Sequence, residues 1–173
     1  MTVEEIFSRI TARIIKGVMI HQELANYFSF LGLEGYELEQ RKRYIDESEF
    51  LNKVNQYYVR HYLKLIPDVQ IDIPKVIPNK LYKYNSEQLE TNDITQAVSS
   101  IFQLWMNWEK ETKQFYEECY IKLMDDNSAV EDALFVKCIV EDVGKELLNV
   151  KSKLLMLKSI NFDILKIMED QNG

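Results

Sequence analysis

Four ionisable side chains fall on stripes of apolar residues, one in each of four predicted helices: Glu23, His61, Glu109 and Glu146. Each has apolar neighbours three or four positions away, the spacing that places residues on one face of a helix. Burying a carboxylate is costly unless it is paired with a cation, hydrogen-bonded or bound to a metal. One such residue per helix therefore indicates a shared polar or metal site in the core of a helical bundle.

A simpler interpretation of these positions stays open. Glutamate is common in helices, so the glutamates could lie at solvated edges of the stripes, and His61 could be an ordinary helix histidine. His21 lies two residues from Glu23, so the sequence places it on a different face, which makes it a poor partner ligand. The only cysteines, Cys119 and Cys138, are too few for a cysteine-rich zinc site, and we expect both to pack as small apolar residues.

The composition is that of a soluble globular protein without a basic surface. Of the 173 residues, 46% are hydrophobic and 28% charged, and the net charge is −7. This charge predicts no binding to nucleic acid or to an anionic membrane. The longest uncharged run, 94–108, is shorter than the roughly 20 residues of a membrane-spanning helix. The N-terminus lacks the basic start and apolar run of a secretory signal, so the expected location is cytoplasmic.

Apolar periodicity predicts that the first helix runs from Thr2 to about Arg43. Gly32 and Gly35 are the positions at which this helix would weaken or bend. The basic run 41–43 would end it, because cations complement the C-terminal end of a helix dipole.

The second helix is expected to begin near Asp46 or Ser48 and to end before Pro67. All three prolines lie in the segment 67–91. Each proline favours an extended conformation in the residue before it, so this segment is predicted to be an extended connection. Its length would allow it to run along the whole bundle and bring the third helix back parallel to the second.

The third helix is expected to begin after the capping residues 91–93 and the fourth to follow a tight polar turn at 125–128. Asn161 would interrupt the fourth helix, leaving a short C-terminal helix from Phe162 to Glu169. The predicted fold class is therefore all-α: a single domain, 1–173, forming an antiparallel four-helix bundle of two helical hairpins joined by a long crossover.

This organisation resembles the ferritin-like superfamily, in which di-iron proteins place one Glu on the first helix, Glu-x-x-His on the second and another Glu on the third. The fourth carries Glu-x-x-His or, in ferritins, a Gln or Glu three residues before a Glu. The stretch 21–27 is similar to the first-helix segment, with Glu23 at the ligand position. The stretch 108–112 is similar to the third-helix segment, with Glu109 as the ligand.

The second and fourth helices depart from the family pattern. Tyr58-Val59-Arg60-His61 keeps the histidine but has Tyr58 where the family has Glu. Val143-Gly144-Lys145-Glu146 keeps Glu146 but has Val143 at the other ligand position. The resemblance then leaves three carboxylates and one histidine, which do not neutralise the charge of two divalent irons in a low-dielectric core. An ordinary dinuclear oxidase site is therefore not expected.

Two functional hypotheses follow from the resemblance. In the first, the protein has lost di-iron chemistry and is a structural or interaction module, without enzymatic activity, in which Glu23, Tyr58, His61, Glu109 and Glu146 form a hydrogen-bond network. In the second, the same glutamates and His61 hold one iron, manganese or zinc ion, with Tyr58 as a ligand or beside the ligands. A homo-oligomer and an unidentified protein partner are both open.

Overall fold

The computed structural model describes residues 1–67, 71, 90–163 and 166–167. Within these residues the chain contains α-helices and no β-strand, which confirms the predicted all-α class. The four helices are α1 (Val3–Phe30), α2 (Glu34–Tyr62), α3 (Thr91–Met124) and α4 (Val130–Ser159).

The predicted boundary between the first two helices is wrong. Helix α1 ends at Phe30 instead of near Arg43, and α2 begins at Glu34 instead of near Asp46 or Ser48. The cause is a glycine C-cap: Gly32 has φ 72°, and its N–H bonds to Ser29 O at 3.0 Å. The next N–H, of the buried Leu33, bonds to Phe28 O at 2.8 Å. These two bonds form a Schellman motif, which ends a helix sharply.

Helix α3 begins at Thr91, so residues 91–93 form its first turn instead of capping it from outside, and the predicted start is wrong. At this start, the backbone N–H of Glu90 donates to Asp93 Oδ2 at 3.4 Å. The polar turn predicted at 125–128 lies between α3 and α4. Helix α4 ends at Ser159, and Asn161 follows with φ 52°, which confirms the predicted interruption.

The predicted extended connection, 67–91, falls largely outside the described residues. Of the predicted C-terminal helix, from Phe162 to Glu169, the residues Phe162, Asp163, Lys166 and Ile167 are described. Phe162 has φ 53° and lies in a turn, so the predicted helix start is wrong. Ile167 is helical and buried, and it packs in the core near the end of α4.

The order of contacts defines how the helices are arranged. Helix α1 packs against α2 and α3, and α3 packs against α4. Between α1 and α2, the rings of Phe7 and Tyr58 lie 5.1 Å apart, and His21 bonds to Gln40. Residue numbers therefore rise along α1 as they fall along α2.

The other helix pairs show the same opposite order. Between α1 and α3, Phe28 lies 5.5 Å from Phe102, and Arg13 bonds to Thr112. Between α2 and α4, Arg43 pairs with Glu146 and Tyr57 stacks on Phe135 at 4.0 Å. Helix α2 thus ends near the start of α1, whereas α3 begins near the end of α1.

The core is divided into two apolar clusters by a layer of polar side chains. The first apolar cluster lies beside the α1–α2 turn and includes Leu24, Phe28, Leu33, Phe102, Trp105, Val150 and Leu157. The second lies towards the start of α1 and includes Phe7, Ile10, Val54, Tyr58, Leu123 and Val136. The residues between them, called the polar layer below, are His21, Gln40, Arg43, Glu47, Glu109 and Glu146.

Candidate functional site

Arg43 is the cation at the centre of the polar layer. Its Nη2 lies 2.9 Å from Glu109 Oε1 on α3, and its Nη1 lies 2.8 Å from Glu146 Oε1 on α4. The Arg43 side chain is 14% exposed and that of Glu109 is 3% exposed. One guanidinium group therefore links three helices, because its planar donors can serve two carboxylates at once. Arg43 lies in the middle of α2, so the prediction that the basic run 41–43 ends a helix is wrong.

Two side chains donate hydrogen bonds to the same oxygen of Glu109. Besides Arg43, the indole N–H of Trp105 donates to Glu109 Oε1 at 3.1 Å. His21 Nε2 lies 3.6 Å from the same oxygen, too far for a hydrogen bond. The buried carboxylate predicted on the α3 stripe is thus present, and its charge is compensated within the protein.

His21 is the fully buried polar residue that α1 contributes to this layer. Its Nδ1 lies 2.8 Å from Gln40 Oε1, and because an amide oxygen only accepts, Nδ1 is the donor. Burial, followed by the nearby charge of Arg43, lowers the pKa of His21 to about 4. The imidazole is therefore uncharged at neutral pH. The expectation that His21 faces away from the site is wrong, whereas Glu23, placed on the core stripe, is half-buried.

Glu47 brings a third carboxyl group into the layer, from α2. A Cβ atom added to Gly17 would come within 3.3 Å of Glu47 Cδ, so the glycine of α1 provides the space for this carboxyl group. Burial raises the pKa of Glu47 to about 7, against the opposing charge of Arg43. Glu47 makes no hydrogen bond or ion pair with any described residue. A cation that approached its carboxyl group would therefore lower its pKa.

A second guanidinium group covers the side of the layer between α1 and α3. Arg13 Nη2 donates to Thr112 Oγ1 at 2.7 Å, and the Arg13 guanidinium lies 3.7 Å above the Trp108 ring. This cation–π contact and the hydrogen bond hold α1 against α3 next to Glu109.

The remaining predicted site residues lie elsewhere. Tyr58 is 1% exposed and packs in the second apolar cluster, where burial raises its pKa. His61 is exposed and lies five turns beyond Arg43 on α2, about 27 Å along the helix axis. Its Nδ1 is 3.6 Å from Glu131 Oε2. The structure therefore brings Glu109 and Glu146 together around Arg43 but does not bring His61 to them.

A separate buried carboxylate lies close to the His61 end of the bundle. Asp132 on α4 is fully buried, and the hydroxyls of Tyr57 and Tyr62 both donate to it. Burial and the Asp132 carboxylate raise the pKa of both tyrosines. Asp132 lies four residues before Val136 on the buried face of α4, and this spacing is the signal in the sequence that indicates its burial. This cluster ties α2 to α4.

Within the described residues, no group of three or more His, Cys, Asp and Glu side chains is placed to hold a metal ion. The same residues contain no helix with an apolar stretch long enough to cross a membrane. Cys119 is buried as expected, but Cys138 is exposed, which corrects the prediction that both cysteines are packed inside.

Comparisons with protein-family models, with curated proteins and with solved structures each found no match.

Proposed function

We propose that the protein is a ferritin-like bundle that has lost the ordinary di-iron oxidase site and acts as a structural and self-interacting module. The observation that carries this proposal is the ion pairing of Arg43 with Glu109 and Glu146. These two glutamates are the residues that the family resemblance assigns to metal. In this chain a protein cation lies between them.

The order of helix contacts supports the ferritin-like part of the proposal. The contact pairs fit two antiparallel hairpins, α1–α2 and α3–α4, with α2 parallel to α3. Helix α2 ends and α3 begins at opposite ends of the bundle, as the long crossover of ferritin-like folds requires. The polar layer lies midway along the bundle, where such proteins build metal sites from inward-facing side chains.

Electrostatics support the loss of metal chemistry. A divalent cation placed between Glu109 and Glu146 would stand beside the Arg43 guanidinium, and this like-charge contact is strongly unfavourable in a buried site. The imidazole nearest Glu109 belongs to His21, whose Nδ1 bonds to Gln40. Among the described residues, His21 Nε2, Gln40 Nε2 and Arg43 Nε have no hydrogen-bond partner, so the layer is not fully satisfied. Because a protein cation already pairs with both glutamates, the layer still resembles an ion-pair network more closely than an open metal cage.

The outer face of α4 supports self-interaction. Leu134, Leu148 and Leu155 are 55%, 67% and 68% exposed and recur at multiples of seven residues along the helix. Exposed apolar residues in such a row are typical of contact surfaces. Two copies of α4 related by a twofold axis would bring Leu134 opposite Leu155, and Glu141 beside Lys145 or Lys151 of the other copy. The same register places Leu148 opposite Glu141 of the other copy, so the leucines meet at Leu134 and Leu155 and the charges meet between them.

Self-association is tested by sedimentation equilibrium of the wild type and Leu148→Glu. We expect a dimer for the wild type and a monomer with unchanged helical content for the variant. A monomeric wild type at high micromolar concentration would contradict this part of the proposal.

The alternative function is a mononuclear iron, manganese or zinc site that uses Glu23, His61, Glu109 and Glu146. A ligand that binds only the folded state raises the unfolding temperature. We expect no rise when ferrous iron, manganese or zinc ions are added to the wild type. A rise that disappears in Glu109→Gln would favour the alternative.

A further inference from the structure

A cavity of about 300 Å³ opens between α2 and α4, next to the polar layer. Phe50, Ile139 and Val143 supply its apolar surface, and Tyr116 of α3 lies among its lining residues. This volume is at the lower end of the range for small-molecule sites, and an apolar floor with a few polar groups is their usual composition.

More acidic than basic residues around the cavity lack an ion-pair partner. Arg43 is bound to Glu146 and Glu109, and Lys145 is bound to Asp142. The acidic residues left over in the lining are Asp46, Glu47 and Glu49, with Lys53 as the remaining cation. The cavity therefore attracts a cation more strongly than an anion.

Two polar groups next to this cavity lack partners. Glu47 makes no hydrogen bond or ion pair with any described residue, and its carboxyl group rests against Gly17. Tyr116 is 2% exposed, and its hydroxyl likewise has no hydrogen-bond partner in the described part of the chain. Neither group is among the enclosed side-chain atoms that lack a partner, and Glu47 is half-buried. Both groups line the cavity, so a donor that enters it can reach the carboxyl group and the hydroxyl.

We propose that this cavity binds an aliphatic diamine. One ammonium group donates to the Glu47 carboxylate and to the Tyr116 hydroxyl oxygen, and the alkyl chain lies on Phe50, Ile139 and Val143. The second ammonium group lies at the cavity mouth near Asp46 and Glu49, which are exposed. The site does not depend on whether the bundle is ferritin-like, since it uses neither Glu109 nor a metal.

Binding is coupled to the protonation of Glu47, whose pKa burial raises to about 7. The charged groups that act on Glu47 are Arg43 and Asp46 on its own helix, Arg13 on α1, Glu109 on α3 and Glu146 on α4. Tyr116 on α3 also faces Glu47 and stays neutral, because burial raises its pKa well above the usual value. An ammonium group favours the ionised carboxylate, so binding near pH 7 releases a proton and weakens as the pH falls.

Isothermal titration calorimetry with butane-1,4-diamine at pH 8 and pH 6 tests the proposal on the full chain. We expect one saturable site at pH 8, weaker binding at pH 6, and proton release measured by repeating the titration in buffers of different ionisation enthalpy. Glu47→Gln, which keeps the side-chain shape, should weaken binding about tenfold or more. Tyr116→Phe should weaken it several-fold, and the exposed control Glu118→Gln should leave it unchanged.

Matched ligands separate a diamine site from general attraction to acidic residues. 1-Aminobutane should bind more weakly than the diamine, and 1-butanol should not bind. The proposal is overturned if no saturable heat is seen at pH 8, or if Glu47→Gln binds as the wild type does. It is also overturned if Mg²⁺ binds with the same affinity and the same dependence on Glu47. Circular dichroism of each variant confirms that the fold is retained.

Discussion

Arg43 on α2 and Glu109 on α3 form a buried ion pair in the middle of the bundle, with 2.9 Å between Nη2 and Oε1. The second terminal nitrogen of Arg43 reaches Glu146 on α4. Removing one partner of a buried pair leaves an uncompensated charge, which costs far more than the net stabilisation that the intact pair provides.

We therefore expect Arg43→Met to lower the free energy of unfolding by about 3–5 kcal/mol. Adding Glu109→Gln to this variant should recover part of the loss, because the orphaned charge is removed. Urea unfolding followed by circular dichroism measures both effects. Arg41→Met is the matched control: Arg41 forms an exposed pair with Glu37, and its loss should cost less than about 1 kcal/mol. Equal losses in the two single variants would contradict the central role of Arg43.

Glu47 should make the protein less stable as the pH rises. Its pKa is raised from 4.5 to about 7 in the folded state, so the unfolded chain ionises first and stability is lost between about pH 4.5 and pH 7. Glu47→Gln removes this loss. The variant should match the wild type near pH 4.5 and exceed its free energy of unfolding by an amount on the order of 3 kcal/mol at pH 8. A difference that stays constant across this pH range would show that Glu47 is not buried as described.

His21 should act in the opposite direction. Its pKa is lowered from 6.5 to about 4 in the folded state, so protons bind the unfolded chain first and stability is lost as the pH falls from about 6.5 to 4. His21→Gln keeps a polar side chain for Gln40 but cannot take up this proton. Urea unfolding of both proteins at pH 7 and pH 5 should therefore show the wild type losing more free energy of unfolding than the variant. Parallel losses would place His21 in a solvated environment.

The end of α1 is tested by two glycine substitutions. Gly32→Ala should cost about 1 kcal/mol or more, because Gly32 has φ 72° and an alanine is strained there. Gly144→Ala should stabilise by up to about 1 kcal/mol, since a Cβ at Gly144 meets only Lys113 Cε at 3.6 Å inside a helix. Thermal unfolding measures both. A stabilising Gly32→Ala would contradict the helix end at Phe30.

The sequence was most informative where one helix runs uninterrupted between clear ends. On α3, the spacing of Val98, Phe102, Trp105 and Glu109 predicts that they share one face, and all four are buried. Periodicity, capping residues and a polar turn agree there, so burial of a carboxylate could be predicted together with its apolar neighbours.

The same reasoning failed on α2 because periodicity alone does not reveal a helix end. With α2 beginning at Glu34, the residues Tyr36, Gln40, Arg43, Glu47 and Val54 fall on one face at spacings of three, four and seven. With the boundary placed near Asp46, that face was divided between two helices and Arg43 was interpreted as a terminal cation. Gly32 is a position at which the sequence predicts that a helix weakens. The Schellman hydrogen bonds that end α1 there depend on the positive φ of Gly32, which the sequence does not specify.

On α1 the choice between Glu23 and His21 depended on how the apolar stripe continues beyond Ile14. A stripe that continues through Met19, four residues before Glu23, places Glu23 in the core, whereas the buried face observed continues through Ile20 and Leu24 and includes His21. A long helix with apolar residues on more than one side allows both continuations, and the packing partners decide between them.

The central claim is that Arg43 supplies the positive charge that metal ions would otherwise supply to Glu109 and Glu146. Elemental analysis of the wild type, expressed with added iron, manganese and zinc and purified without chelators, tests it most directly, with Glu109→Gln and the exposed Glu118→Gln analysed alongside. The account predicts metal far below one ion per chain in all three proteins. Near-stoichiometric metal in the wild type and in Glu118→Gln, lost in Glu109→Gln, would contradict it.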